Sequence, residues 1–381
     1  MSTFHPHITL HRLFRIKSEL QEIYINQVLQ HFAVSLIGIF IPIFIYTMGF
    51  DLMSVFMFLI FFYIGLGFLS PISGRMASKM GLKHAILYSS PLIVLYFMFM
   101  VLFEHFSSSH FLLYMIGLLG GLAFGLYWIS LNSEFVKNSH KLQSGRETAR
   151  LIAYPRLAAI AAPVIGAFLI SGWGYDILFF FVMIIMGLSV APLFATNDYK
   201  SYFRFMFRDT RILMKNKYMV AFFSRGLTFM AEGVMWPLFI FLTFNNLMAV
   251  GIAAAFSGIG VAIFTIFVGR ISDRMDKRKL VKLGGLGYAF VWLSRIFITT
   301  ELEVFIMSLI GSMLLAMIAV SLFASFSDDE KEGNVVSRVV SREIWLNIGR
   351  IAGLFLFMLV IGNFQFAFTV TALVSLLFLL F

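Results

Sequence analysis

Long apolar runs separated by short polar connections set the pattern of this chain. The runs fall at roughly 22–47, 53–71, 84–103, 110–131, 151–171 and 176–195. A second set falls at roughly 218–244, 248–268, 283–300, 303–325, 343–361 and 363–381. Each is near the ~20 residues that a helix needs to cross hydrocarbon. None alternates polar and apolar positions, as a membrane strand of about 10 residues must. Every backbone N–H and C=O in lipid needs an internal partner, so the pattern predicts an all-α integral membrane protein of about twelve transmembrane helices.

The polar connections are not equivalent. Lys and Arg gather in alternate ones: 12–17, 75–83, 137–150, 200–217, 270–282 and 331–342. The intervening connections, near Gly49, Glu104, Gly174, Asn245, Glu301 and Asn363, carry none. Of 29 Lys and Arg, four (Arg156, Arg225, Arg295 and Arg350) fall inside runs, and the other 25 lie on one side. Basic excess in short loops marks the cytoplasmic side, so both termini are expected in the cytoplasm of a cell-membrane protein. The longest connection, 196–217, is basic and aromatic (Tyr199, Lys200, Tyr202, Arg204, Arg208, Arg211, Lys215). It reads as a cytoplasmic linker lying on anionic lipid, and it separates a six-helix unit, 1–195, from a second, 218–381.

Composition narrows the function classes. The chain is 60% hydrophobic and 13% charged, against about 45–50% and 25% in soluble domains. The net charge of +10 follows from the loop bias, so no nucleic-acid partner is expected. The expected partners are the bilayer and a small-molecule substrate, with the protein a monomer. There is no Cys, hence no disulfide or thiol chemistry. No phosphate-binding G-x-x-x-x-G-K-[ST] loop, His-Glu-x-x-His pair or acidic calcium loop occurs. An enzyme is not expected, nor a cofactor or metal; a proton or ion gradient would supply the driving force.

The two halves repeat. Ile41-Pro42-Ile43-Phe44 matches Trp236-Pro237-Leu238-Phe239, and Gly74-Arg75-Met76 matches Gly269-Arg270-Ile271, both at an offset of 195. Pro155-Arg156-Leu157-Ala158 matches Gly349-Arg350-Ile351-Ala352 at 194. Duplicated units are common in secondary transporters. The stretch from Gly74 to Lys83, with Gly74, Lys79, Gly81 and Lys83, resembles the Gly-x-x-x-Asp-Arg-x-Gly-Arg-Lys loop of the major facilitator superfamily. Ser78 stands at its acidic position. The second-half loop keeps Gly269, Asp273 and Arg274, with Asp276 in place of the second Gly. The resemblance implies two pseudo-symmetric six-helix bundles that rock about a central cavity lined by helices 1, 4, 7 and 10. It further implies a gate in which Asp273 bridges toward the helix starting near Arg146 and Glu147, with Arg274 in the same cluster.

Candidate chemistry centres on the seventh run. Glu232 sits near its middle, where a carboxylate costs at least ~2.5 kcal/mol on insertion scales and so faces protein or a wet cavity. Arg225 lies seven residues earlier, about two turns away and so on the same face of a regular helix. Glu232 reads as a proton-carrying acid, and Trp236 as a cavity residue one turn on. Gln27, Gln30 and His31 form a polar patch in the first run, and Gln30 is the repeat counterpart of Arg225. Trp128 and Asn132, four apart, suit a cavity wall. Arg156 and Arg350 read either as snorkelling ends or as paired cations at the inner mouth. Arg342 and Glu343 read as gate residues, with Ser78 on the first-half side. The expected function is secondary active transport, with proton-coupled export of small organic compounds first. An uptake or exchange permease for an anionic metabolite is the alternative. A membrane receptor or assembly factor on the same scaffold is the rival from another class.

Overall fold

The computed structural model describes residues 19–106, 109–139, 143–194, 214–244, 247–329, 335–359 and 363–381. The basic leader, Lys141, Asn245, Lys331 and the linker from 196 to 213 (Tyr199, Lys200, Tyr202, Arg204, Arg208 and Arg211 among it) lie outside the described residues. The described residues make twelve helical passages. In the first half these are α1 (Leu20–Thr47), α2 (Leu52–Gly67 continued by Ser70–Met80), α3 (Leu82–Phe106), α4 (His110–Asn138), α5 (Ser144–Ile170) and α6 (Gly172–Leu193). The second half has α7 (Asn216–Met230, Ala231–Met235 and Trp236–Phe244), α8 (Leu247–Ser272), α9 (Lys277–Ser294), α10 (Glu301–Asp329), α11 (Val335–Leu359) and α12 (Phe364–Leu376). Among the described residues eight helices are long and apolar enough to cross a membrane, and α2, bent by 41°, makes a ninth. The others deviate for local reasons: α7 is interrupted, α11 opens with charged turns and α12 is short.

The interruptions follow from sequence. Proline removes one N–H and crowds the carbonyl four residues back. Pro42 and Pro237 are repeat counterparts, and the residues four before them are Gly38 and Gly233. In α1 the helix breaks between Ile37 and Ile41. In α7 the same place holds a wide π turn, Ala231–Met235. The duplicated Gly-x-x-x-Pro thus gives each half a break in its first helix. Gly174, at φ 83°, takes a backbone conformation that other residues rarely adopt and kinks the chain close to the junction of α5 and α6.

Helices α1–α6 pack on one another, as do α7–α12; between the units, α5 packs on α8 and α10, and α11 on α2 and α4. These inter-unit contacts run from the end carrying the basic loops to mid-depth, where Gly67 approaches Asn347 and Gly258 approaches Ile160. Large apolar side chains such as Phe111, Phe290, Phe297 and Ile263 are exposed on the outside, as expected where the solvent is lipid.

Candidate functional site

At the basic end, the loop after α8 meets the start of α5. Asp273 accepts from the Gly145 N–H at 2.8 Å and the Arg146 N–H at 3.3 Å, and pairs with Arg146 Nε at 3.3 Å. Those N–H groups have no partner inside the helix, and the N-terminal dipole favours an anion. Burial raises the Asp273 carboxyl above the ordinary aspartate range, with the two N–H groups pulling the other way. The close approach needs glycine on both sides. A Cβ at Gly145 would meet Asp273 Oδ1 at 2.6 Å, and one at Gly269 would overlap Ala149. The same end holds the Phe135–Phe323 stack, at 5.7 Å between centroids, and a Ser139–Ser327 hydrogen bond of 3.3 Å.

The other gate candidates sort differently. Arg342 pairs with Glu343 at 3.0 Å and sits among Phe222, Phe323 and Phe326. Ser78 is buried with its hydroxyl unpartnered. Arg274 is exposed and its side chain has no hydrogen bond or ion pair among the described residues. Glu147 is buried, and its backbone carbonyl accepts from the Tyr24 hydroxyl.

At mid-depth, three arginines from both units converge. Arg350 of α11 lies over Tyr63 of α2 at 5.2 Å and over Phe229 of α7 at 4.9 Å, so its guanidinium spans the boundary between units. Arg225 of α7 lies over the same Phe229 at 5.6 Å, within electrostatic reach of both Arg350 and Arg156 of α5. His31 of α1 is within reach of Arg156. Arg350 donates to Asn347 at 3.0 Å. Arg225 Nη1, Arg350 Nε, His31 Nε2 and Gln27 Oε1 are buried without hydrogen-bond partners. Gln30 and Asn132 are buried, and Trp128 is half-buried with its ring edge against Tyr127. Among the described residues no carboxylate pairs with Arg156, Arg225 or Arg350.

Glu232 is placed elsewhere than the sequence suggests. It forms a bidentate pair with Arg295, at 2.9 and 3.0 Å, and accepts from the Tyr288 hydroxyl at 2.9 Å. Arg295 is fully buried, 4.0 Å from Trp236 and 4.2 Å from Trp292, and also donates to Met307 O. Trp236 in turn donates to Ser308 Oγ at 2.9 Å and edges Phe368. Glu232 and Trp236 therefore face α9, α10 and α12 inside the second unit, whereas Arg225 faces the boundary between units. The seven-residue spacing places two side chains on one face only at 3.6 residues per turn, and the π turn breaks that register. Arg295 and Tyr288 escape sequence reading as Glu232's partners. The available signal is that Arg295 sits at the end where the loops are otherwise free of basic residues. Sequence reading also takes Lys83 as a topology residue. It forms a buried 2.7 Å pair with Glu22 of α1.

The protein is thus a helical membrane protein of two packed six-helix units, joined at one end and sharing a cationic centre. Its fold is that of the major facilitator superfamily. The human organic anion transporter MFSD10 (TETRAN) superposes with a TM-score of 0.73 at 14% identity, over 96% of this chain and 100% of that one. A bacterial homologue of the iron transporter ferroportin, in an outward-facing state, gives 0.74 at 13% identity over 96% and 97%. The superfamily transporter FucP, in the outward conformation, gives 0.75 at 13% over 95% and 97%. No family model matches the chain. A curated relative, an uncharacterized protein YqgE of Bacillus subtilis, is 24% identical over 309 residues, 76% of this chain and 70% of that protein.

Proposed function

We propose that the protein is a secondary transporter that carries a small organic anion across the cell membrane by alternating access. One observation carries the choice of cargo. Arg156, Arg225 and Arg350, each half-buried, converge from both units with no carboxylate partner among the described residues, and desolvated cations without counter-ions are costly unless a ligand supplies the charge. The cluster lies 11 residues along α5 from the Asp273 contact at Gly145, about 16 Å at 1.5 Å per residue, so a cargo there sits beyond a closed gate. With the basic loops on the cytoplasmic side, the conformation is outward-facing, as in two of the similar structures. The similar structures are named for an organic anion, iron and fucose, so the fold alone leaves the cargo open, and the arginines are what supports an anion. Proton-coupled export rests on Glu232 as a titrating cavity acid. With Glu232 held by Arg295 inside the second unit, the arginines are the groups that meet a cargo. The test is ligand-induced thermal stabilisation of the purified protein by phosphate, glycerol 3-phosphate, succinate and citrate, each set against a neutral analogue. Stabilisation by one or more anions and by none of the neutral analogues is expected. Stabilisation by neutral compounds alone overturns the anion.

A further inference from the structure

The two units differ in charge at one repeated place. In the first unit Glu22 of α1 and Lys83 of α3 form a buried pair at 2.7 Å. The offset of 195 puts Lys217 where Glu22 stands and Arg278 where Lys83 stands. The second unit therefore holds two cations where the first holds an ion pair, and they lie within electrostatic reach of each other. The carboxylates near Lys217 are bonded to other groups. Asp329 accepts from Lys215 at 3.1 Å and from the Tyr218 hydroxyl at 2.9 Å, and Asp276 accepts from the Arg278 N–H at 2.9 Å. Lys217 itself lies over the rings of Tyr218 and Phe381, at 4.8 and 4.9 Å, just beyond the end of α12.

An apolar groove of about 580 Å³ runs between α9 and α12 on the outside of the same unit. On α9, Leu283, Leu286, Phe290 and Leu293 line it and are exposed. They follow one another at steps of three and four residues, so they form a single stripe. Leu373 of α12 is the facing wall, and Ala289 and Ala372, both buried, are the floor. Exposed Lys279 and Lys282 precede Leu283 and Leu286 by one turn each, and exposed Arg278 precedes Lys282 by one turn. Cations therefore head the stripe at the end of the basic loops. From Leu283 to Leu293 the stripe rises about 15 Å at 1.5 Å per residue. That is half the ~30 Å hydrocarbon core, the depth of one leaflet.

Three features select the occupant. A membrane helix of another protein crosses both leaflets, and the groove is one leaflet deep. A second copy of this chain, related by a two-fold axis along the membrane normal, would bring two cationic heads together on one side. Basic pockets between membrane helices on the cytoplasmic side suit anionic headgroups. We infer that this face is a binding site for one anionic phospholipid of the cytoplasmic leaflet, its phosphate held by Lys217, Arg278, Lys279 and Lys282 and an acyl chain laid between α9 and α12. The inference uses the orientation given by the basic loops and is independent of the arginine cluster.

The experiment uses full-length protein in phosphatidylcholine vesicles. The probe is a trace of phosphatidylglycerol with a photoactivatable diazirine in its acyl chain, set against the phosphatidylcholine analogue. Labelled peptides are expected within 283–293 and 369–376, at least tenfold more strongly from phosphatidylglycerol. Arg278→Gln combined with Lys282→Gln, both exposed, is expected to keep the wild-type Tm and to lower that labelling at least tenfold. Arg75→Gln combined with Lys79→Gln removes the same charge from the first unit's loop and is expected to leave it unchanged. Excess inorganic phosphate in the buffer is also expected to leave it unchanged. Equal labelling by the two lipids overturns headgroup recognition, and an equal fall in both double variants reduces it to general surface potential. Loss of labelling in phosphate makes the cations a site for the free ion, and crosslinks to a second copy of the chain make the face a protein interface; either overturns the lipid.

Discussion

Glu232 holds Arg295 through both carboxylate oxygens, at 2.9 and 3.0 Å, and the two residues are 63 positions apart. Arg295 has no exposed side-chain surface and Glu232 has 14%. The pair ties the broken middle of α7 to the end of α9 away from the basic loops, where the guanidinium lies 4.0 Å from the Trp236 ring and 4.2 Å from the Trp292 ring.

The pair predicts how α7 responds to mutation. Glu232→Gln leaves a buried guanidinium without its counter-ion, a loss of about 3–5 kcal/mol in comparable buried pairs. A clear fall in Tm in detergent is expected, and Glu232→Gln with Arg295→Met should recover much of it by removing the stranded charge. An unchanged Tm in Glu232→Gln would show that the carboxylate is free, as a proton carrier in the cavity would be.

The closed end predicts a graded response at Asp273. Asp273→Ala removes the acceptor for two helix-start N–H groups, and an unsatisfied buried group costs about 1–3 kcal/mol. That corresponds to a roughly 5- to 150-fold shift toward opening at that end. Asp273→Asn keeps an acceptor, and burial already favours the neutral carboxyl, so its effect should be smaller. Labelling of a single cysteine placed at Ser139 or Ser327 measures the opening. Equal labelling in wild type and Asp273→Ala would reduce the contact to a packing detail.

How much of this is visible in the sequence depends on the range of each interaction. Spans and duplication are written in local hydrophobicity and in the 195-residue echo, and the helical passages follow them; orientation is written in loop charge. The meeting of Asp273 with Gly145 and Arg146 follows a family pattern in which loop and helix start are both marked. The Glu232–Arg295 pair is marked by neither. Its partners are distant, and the π turn before Pro237 invalidates the periodicity that would otherwise assign Glu232 a face. The arginine cluster lies between: Arg156 and Arg350 are visible as repeat counterparts, while Phe229, which Arg225 and Arg350 share, shows only in three dimensions.

Orientation is directly testable because the chain contains no cysteine. Gly172→Cys, at an exposed position with open space around it, is expected to react with an impermeant thiol reagent added to intact cells, whereas Lys79→Cys and Arg278→Cys react only after permeabilisation. External labelling of Arg278→Cys would invert the assignment of the closed end.

Anion recognition by the arginine cluster is the central claim, and the dissociation constant of the most stabilising anion tests it most directly. It is measured by titration of purified wild type, Arg156→Gln, Arg225→Gln and Arg350→Gln, with Arg274→Gln as an exposed control. A charged hydrogen bond contributes about 1.5–3 kcal/mol, and each 1.4 kcal/mol is tenfold in affinity. Binding at least tenfold weaker is therefore predicted in each of the three cavity variants, with the Arg274→Gln constant unchanged. Wild-type affinity retained in Arg156→Gln, Arg225→Gln and Arg350→Gln alike would contradict the account.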